Sequence, residues 1–157
     1  MKYKDFTSLY PSVQKYCPYP VGHPNIVTEN FGDVRKYFGS IKCKILPPKK
    51  LYFPVLPARI NNKLLFTLCQ TCAVEQKKKC NHSIEERCID GTWISLEIQE
   101  ALNQGYKIVE LYEVWHWEKT SVYDKATKSC GLFANYVDIF LKGKQEADGY
   151  PDYFKND

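Results

Sequence analysis

Four of the seven cysteines crowd between Cys69 and Cys88, and one of the three histidines, His82, lies among them. Such a cluster limits how this stretch can fold. Cys69-Gln-Thr-Cys72 is a C-x2-C turn at the end of a predicted strand, and a turn of this kind points two thiolates at one tetrahedral ion. Cys80-Asn-His82 follows, giving C-x2-C-x7-C-x-H with Cys88 as a spare thiol and alternative ligand. Cys80 and His82 are two apart, so in an extended segment they share a face. An odd cysteine count fits a reducing compartment, where such a cluster implies metal before disulfides. Two readings stand: a structural Zn2+ held by Cys69, Cys72, Cys80 and His82, or reduced, partly buried thiols without metal. All four ligands would come from the protein, leaving no position for a reacting water.

The sequence around the cluster reads as alternating strands with a few helices. From Phe38, Ile41, Cys43 and Ile45 point one way and Ser40, Lys42 and Lys44 the other, which predicts a half-buried strand with a basic outer face. Asn61-Asn62 separates two apolar runs and predicts a hairpin turn, because asparagine tolerates positive φ. Thr92 or Ser95 is expected to cap a helix that buries Ile94, Ile98, Ala101 and Leu102 and ends at Gly105. Residues 106–117 predict a long strand. Leu132, Phe133, Tyr136, Val137, Phe140 and Leu141 form a helical stripe. Residues 16–24 hold three prolines and a glycine and predict an ordered loop. The polar last dozen residues read as a frayed or truncated end. The fold class expected is α+β.

Composition is that of a globular chain, 44% hydrophobic and 25% charged, with a net charge of +4. That charge permits a polyanionic partner without requiring one. The lysine runs at Lys42, Lys44, Lys49 and Lys50 and at Lys77 to Lys79 read as solvated faces, with a second reading for Lys77 to Lys79, which lie inside the cysteine loop: a zinc-held basic knob that touches nucleic-acid phosphates. No apolar run approaches the length needed to cross a bilayer. The N-terminus carries charge in its first turn and no apolar core, so no secretory leader is expected. An intracellular, reducing location is expected.

The chemistry-bearing motif is Asp5-Phe6-Thr7-Ser8-Leu9-Tyr10-Pro11. Phosphoryl transfer needs divalent cations held by carboxylates. An aspartate at a strand end is a rigid ligand for one. A turn into a helix behind it presents free backbone N–H groups to a triphosphate. These seven residues, D-x-x-S-L-Y-P, resemble the first polymerase motif of family B DNA polymerases. The resemblance extends through Pro18 to Pro24, through Gly91-Thr92-Trp93 with the helix and strand after it, and through Gly131-Leu132-Phe133. It points to the protein-primed branch, of the Polinton (Maverick) transposon or linear-plasmid type, in which a similar Cys/Cys and Cys-x-His arrangement occurs.

The resemblance implies roles. Asp5 would be catalytic and bind Mg2+. The Phe6 carbonyl would complete a metal shell. Ser8 and Leu9 would meet the triphosphate, and Tyr10 would stack under the deoxyribose and exclude a 2′-hydroxyl. Residues 1–16 would belong to a partial polymerase palm. Residues 17–130 would be a β-rich, zinc-bearing insertion that contacts the terminal (priming) protein. Residues 131–157 would begin the fingers. DNA, dNTP, the terminal protein and the remainder of the polymerase chain would be partners, with nuclear location in a eukaryotic transposon. The fingers motif K-x-x-x-N-S-x-Y-G and the D-T-D motif are absent from these 157 residues. One aspartate cannot hold two metals, so the chain alone is expected not to polymerise DNA. Two other readings compete: a non-catalytic zinc-stabilised module that binds nucleic acid or protein, and a stand-alone nuclease using Glu97, Glu110 and Glu113. Those glutamates read better as structural, with Glu110 and Glu113 on opposite strand faces. His23 and His116 read as structural, and Trp93, Trp115 and Trp117 as core or interface.

Overall fold

A computed structural model describes residues 8–149. In chain order its elements are α1 (Leu9–Tyr16), β1 (Tyr19–Pro20), β2 (Asn25–Val27), β3 (Gly39–Leu46), β4 (Pro57–Ile60), β5 (Lys63–Phe66), α2 (Gln70–Glu75), α3 (Ile84–Arg87), β6 (Ile89–Ile94), α4 (Ser95–Asn103), β7 (Lys107–His116), β8 (Thr120–Ser121), β9 (Tyr123–Asp124), β10 (Ser129–Cys130) and α5 (Ala134–Asp148). Helices and antiparallel strands mix, as the α+β expectation has it. They form two compact units: residues 22–118, and the described residues of 1–21 with those of 119–157.

The 22–118 unit is built on a four-stranded antiparallel sheet in the order β2-β7-β3-β6. The alternation of β3 sets its two faces. Inward, Ile41 lies between Trp93 and Val114, Cys43 between Gly91 and Leu111, and Ile45 between Ile89 and Ile108. These rows form the core with Ile98 and Ala101 of α4, Tyr106, and Leu56, Ala58 and Ile60 from the segment leading into the β4–β5 hairpin. The Trp93 indole N–H donates to the Pro57 carbonyl at 2.8 Å, so its burial leaves no polar atom unpaired. Its ring lies over Gly91, where an added Cβ would come within 2.6 Å of the indole. Trp93 is therefore core, while Trp115 is 41% exposed.

Ten residues of β7 run beside eight of β3, and the excess is absorbed by two β-bulges, which skip Tyr112 and Val109. The first bulge overturns the expectation for Glu110 and Glu113. Glu113 pairs with Lys42 and Glu110 with Lys44, so both carboxylates share the outer face. That face is also not the basic surface read from period 2. Lys44 binds Glu85 at 2.5 Å and lies beside Asp90 as well as Glu110. The carboxylates come from α3, β6 and β7, far from β3 in sequence, which one-strand periodicity does not register.

Local signals explain the turns. Asn61 and Asn62 take φ of 50° and 61°, as the β4–β5 hairpin requires. Helix α4 ends in a Schellman motif: Tyr106 N–H donates to Ala101 O at 3.0 Å, Gly105 N–H to Leu102 O at 3.1 Å, and Gly105 takes φ +88°. Its start differs from expectation. Ile94 is the N-cap, Glu97 accepts from Ile94 N–H at 3.2 Å, and Ser95 is the buried first residue. The Ser95 hydroxyl instead accepts from Gly39 N–H at 3.2 Å. His116 Nδ1 accepts from Phe38 N–H at 3.0 Å, the structural role expected of it. His23 is exposed.

In the other unit α1 packs on α5, with Lys15 Nζ bound to Asp138 at 2.5 Å. Edge-on aromatic pairs, Tyr16 with Tyr123 at 5.4 Å and Tyr19 with Phe133 at 4.8 Å, join the short strands to the helices. The α5 stripe is split. Ala134 and Val137 are buried, whereas Tyr136 and Phe140 are exposed. No helix among the described residues is long and apolar enough to cross a membrane.

Candidate metal centre

The sequence assembles the cysteine cluster from two short pieces. The first follows β5. Thr67 and Cys69 close a turn in which Cys69 N–H donates to Thr67 Oγ1 at 3.1 Å and the hydroxyl donates back to Cys69 O at 2.9 Å. Cys69 is then the N-cap of α2. Its sulfur accepts from Cys72 N–H at 3.4 Å, which sets the two thiols side by side. Helix α2 stops at Gln76 in the left-handed region, φ 57°, and the chain turns back toward Cys80.

The second piece is α3. Ser83, directly after His82, caps it in a full capping box: Ser83 Oγ accepts from Glu86 N–H at 3.3 Å, and Glu86 Oε2 accepts from Ser83 N–H at 2.8 Å. The Thr71 hydroxyl donates to Glu86 O at 2.7 Å and ties α2 to α3. Both pieces are thus held by hydrogen bonds of their own, which places Cys69 and Cys72 on one side and His82, next to the Ser83 cap, on the other.

Four ligand atoms converge. Those of Cys69, Cys72, Cys80 and His82 all lie within 4.8 Å of one another. His82 Nδ1 is 3.2 Å from Cys72 Sγ, 3.4 Å from Cys69 Sγ and 3.8 Å from Cys80 Sγ. A zinc ion with bonds of about 2.3 Å to sulfur and about 2.1 Å to nitrogen spaces tetrahedral sulfur and nitrogen ligands about 3.6 Å apart. The observed spacings bracket that value, so the group can hold such an ion. His82 turns its other nitrogen, Nε2, to Glu75 Oε2 at 3.5 Å, the outer carboxylate that orients a metal-binding imidazole. Cys88 stands apart, its thiol donating to Ile84 O at 3.2 Å.

The thiols conflict without a cation. The His82 backbone N–H donates to the Cys80 sulfur and holds that thiol down to about 7. Burial, with the neighbouring thiols, pushes Cys72 up to about 12. Three sulfurs this close cannot all carry charge unaided. A divalent cation removes the repulsion and couples folding of the loop to its own binding.

Arg87, which sequence reasoning passed over, locks the centre to the sheet. It is 5% exposed, and its Nη2 donates to the carbonyls of Pro47 at 2.8 Å, Pro48 at 3.0 Å and Leu68 at 3.4 Å. Glu75 was missed too. The Ser83-x-x-Glu86 box was the signal available for α3.

Of the motif at the N-terminal end, Asp5 and Phe6 lie outside the described residues. Ser8 is the N-cap of α1 with φ 58°, and Ser12 N–H donates to its carbonyl at 3.0 Å. Leu9 and Tyr10 open the helix. Tyr10 is 81% exposed and, with Ser8, borders a cleft of about 430 Å³ that also includes Tyr136, Phe140 and Lys144 of α5.

The structure thus joins a Cys3His group able to hold a metal ion to an α+β chain whose first helix opens on Ser8-Leu9-Tyr10-Pro11. The family described as "DNA polymerase type B, organellar and viral" matches residues 1–156, and the chain belongs to it. A protein of Neurospora intermedia described as "Probable DNA polymerase" is 27% identical over 159 residues, covering 94% of this chain. The chain spans 13% of that relative's length. No solved structure matches.

Proposed function

We propose that this chain is the segment of a protein-primed type B DNA polymerase that carries the first catalytic motif and the insertion behind it. The observation that carries the reading is the family match over residues 1–156, which opens on Asp5-x-x-Ser8-Leu9-Tyr10-Pro11. Asp5 would hold Mg2+ with the Phe6 carbonyl. The metal, when bound, would neutralise charge on the reacting phosphates. The first amides of α1 would meet the triphosphate, and exposed Tyr10 would lie against the sugar. The second catalytic carboxylate would come from the remainder of the polymerase chain, so the 157-residue chain alone would not extend a primer.

The Cys69, Cys72, Cys80 and His82 group would bind one structural Zn2+. The convergence of four ligand atoms with an outer carboxylate supports it. Residues 17–130 would contact the terminal protein, whose hydroxyl receives the first nucleotide. Their position between the motif and the α5 segment supports this.

The test uses a polymerase reconstituted with this segment. Asp5→Asn should lower nucleotide incorporation about a hundredfold or more while leaving DNA binding in place. Undiminished incorporation would overturn the assignment. Capture of the terminal protein should be lost when residues 22–118 are deleted; retained capture would remove that part of the reading.

A further inference from the structure

The lysines of the 22–118 unit divide into two groups. On the outer sheet face each faces acid: Lys42 pairs with Glu113, and Lys44 lies among Glu85, Asp90 and Glu110. Lys49 and Lys50 do not. They are exposed in the turn after β3 and line a cleft of about 550 Å³ with Leu68, Asn81, His82 and Arg87. Among the described residues no carboxylate lines this cleft. Among the described residues neither lysine has an Asp or Glu oxygen within 4.0 Å.

The inner wall adds to the imbalance. Arg87 is buried there, and among the described residues its hydrogen-bond partners are neutral carbonyls rather than a counter-ion. An occupied three-thiolate, one-imidazole zinc site carries a formal charge of −1, which offsets one of the three cations. A net positive cleft remains. Lys77 to Lys79 directly precede Cys80 in the chain; Lys77 is paired to Glu75 at 2.7 Å, and Lys78 and Lys79 have no carboxylate oxygen within 4.0 Å among the described residues. Positive charges strung along two chain segments suit a polyanion with regularly spaced charge.

We propose that this cleft binds the phosphate backbone of DNA, with Lys49 and Lys50 as the phosphate contacts and the cysteine-histidine knuckle as its wall. The identity of the polyanion rests on the polymerase reading above. Backbone contacts of this kind carry no base specificity; they hold the duplex by charge.

Fluorescence anisotropy with a short labelled DNA duplex tests it on the zinc-loaded 157-residue chain. Lys49→Gln/Lys50→Gln should weaken binding about tenfold at low salt and make the slope of log K against log salt shallower by about 1.8. A control with the same charge change in the same unit, Lys36→Gln/Lys63→Gln, should change Kd less than about twofold. Both cleft side chains are exposed, so zinc content and thermal midpoint should stay unchanged, which keeps folding out of the readout. Equal losses from the two pairs, or an unaltered salt slope, would overturn the proposal. So would displacement of the DNA by poly-glutamate at equal charge concentration, since that result identifies an acidic protein surface as the occupant. Nucleotide incorporation by the Asp5→Asn polymerase fails or succeeds independently of this measurement.

Discussion

Glu75 and His82 are linked at the edge of the cysteine-histidine cluster: the carboxylate Oε2 lies 3.5 Å from His82 Nε2, while the opposite ring nitrogen, Nδ1, faces the thiols. The contact favours the tautomer with its proton on Nε2, which leaves Nδ1 free to bind an ion. Glu75 also binds Lys77 at 2.7 Å, which holds its carboxyl below the usual carboxylate range. Glu75→Gln should therefore lower zinc affinity by about tenfold, measured by competition with a chromophoric chelator. Lys77→Gln should leave it nearly unchanged. Equal affinity for Glu75→Gln and the unaltered chain would mean the carboxylate does not orient the ligand.

Thiol reactivity separates the cysteines by environment. Cys17 and Cys130 are exposed, and Cys43 and Cys88 are buried. With zinc bound, a thiol reagent at neutral pH should modify two cysteines quickly. A strong chelator should raise the number to five by releasing Cys69, Cys72 and Cys80, with one zinc lost per chain. Five fast thiols before chelation would count against the site.

The two pieces of the metal centre differed in how far residue spacing revealed them. The C-x2-C turn and the Cys80-x-His82 pair were legible because their spacing is itself the geometry. The site's rigidity was legible only in part, since the Ser83-x-x-Glu86 box is local whereas Arg87 finds its carbonyl partners about twenty to forty positions away. The inward row of β3 was readable from alternation. The β7 bulges were not, because a skipped residue breaks the period that a strand pattern depends on. Ser95 was a plausible cap by type, but its hydroxyl is taken by Gly39, a contact 56 residues distant. The reading of Asp5 rests on motif identity, and that residue is outside the described part of the fold.

Arg87 joins three segments through one guanidinium nitrogen and sits buried while doing so. Its removal would leave the carbonyls of Pro47, Pro48 and Leu68 without their side-chain donor. Arg87→Met should lower unfolding stability by about 3 kcal/mol in urea titration. Arg87→Lys should recover only part of this, because the lysine ammonium does not reach as far as the guanidinium Nη2 that makes all three contacts. Loss of less than about 0.5 kcal/mol for Arg87→Met would show the latch to be unimportant.

Cys43 provides a pH signature of the core. It is fully buried in the middle of β3, and burial, aided by the charge of Asp90, pushes its thiol from 9.0 to about 12. The folded chain therefore keeps this proton while the unfolded chain loses it above pH 9. Its contribution is whole below the unfolded value and is lost as pH rises toward 12. Measured against Cys43→Ala, which has no such proton, stability should fall by about 2 kcal/mol between pH 9 and 10.5. The other titrating groups are common to both proteins and cancel in the comparison. A difference that stays constant over this range would mean that the thiolate is tolerated in the folded sheet, and that the inner face of β3 admits water.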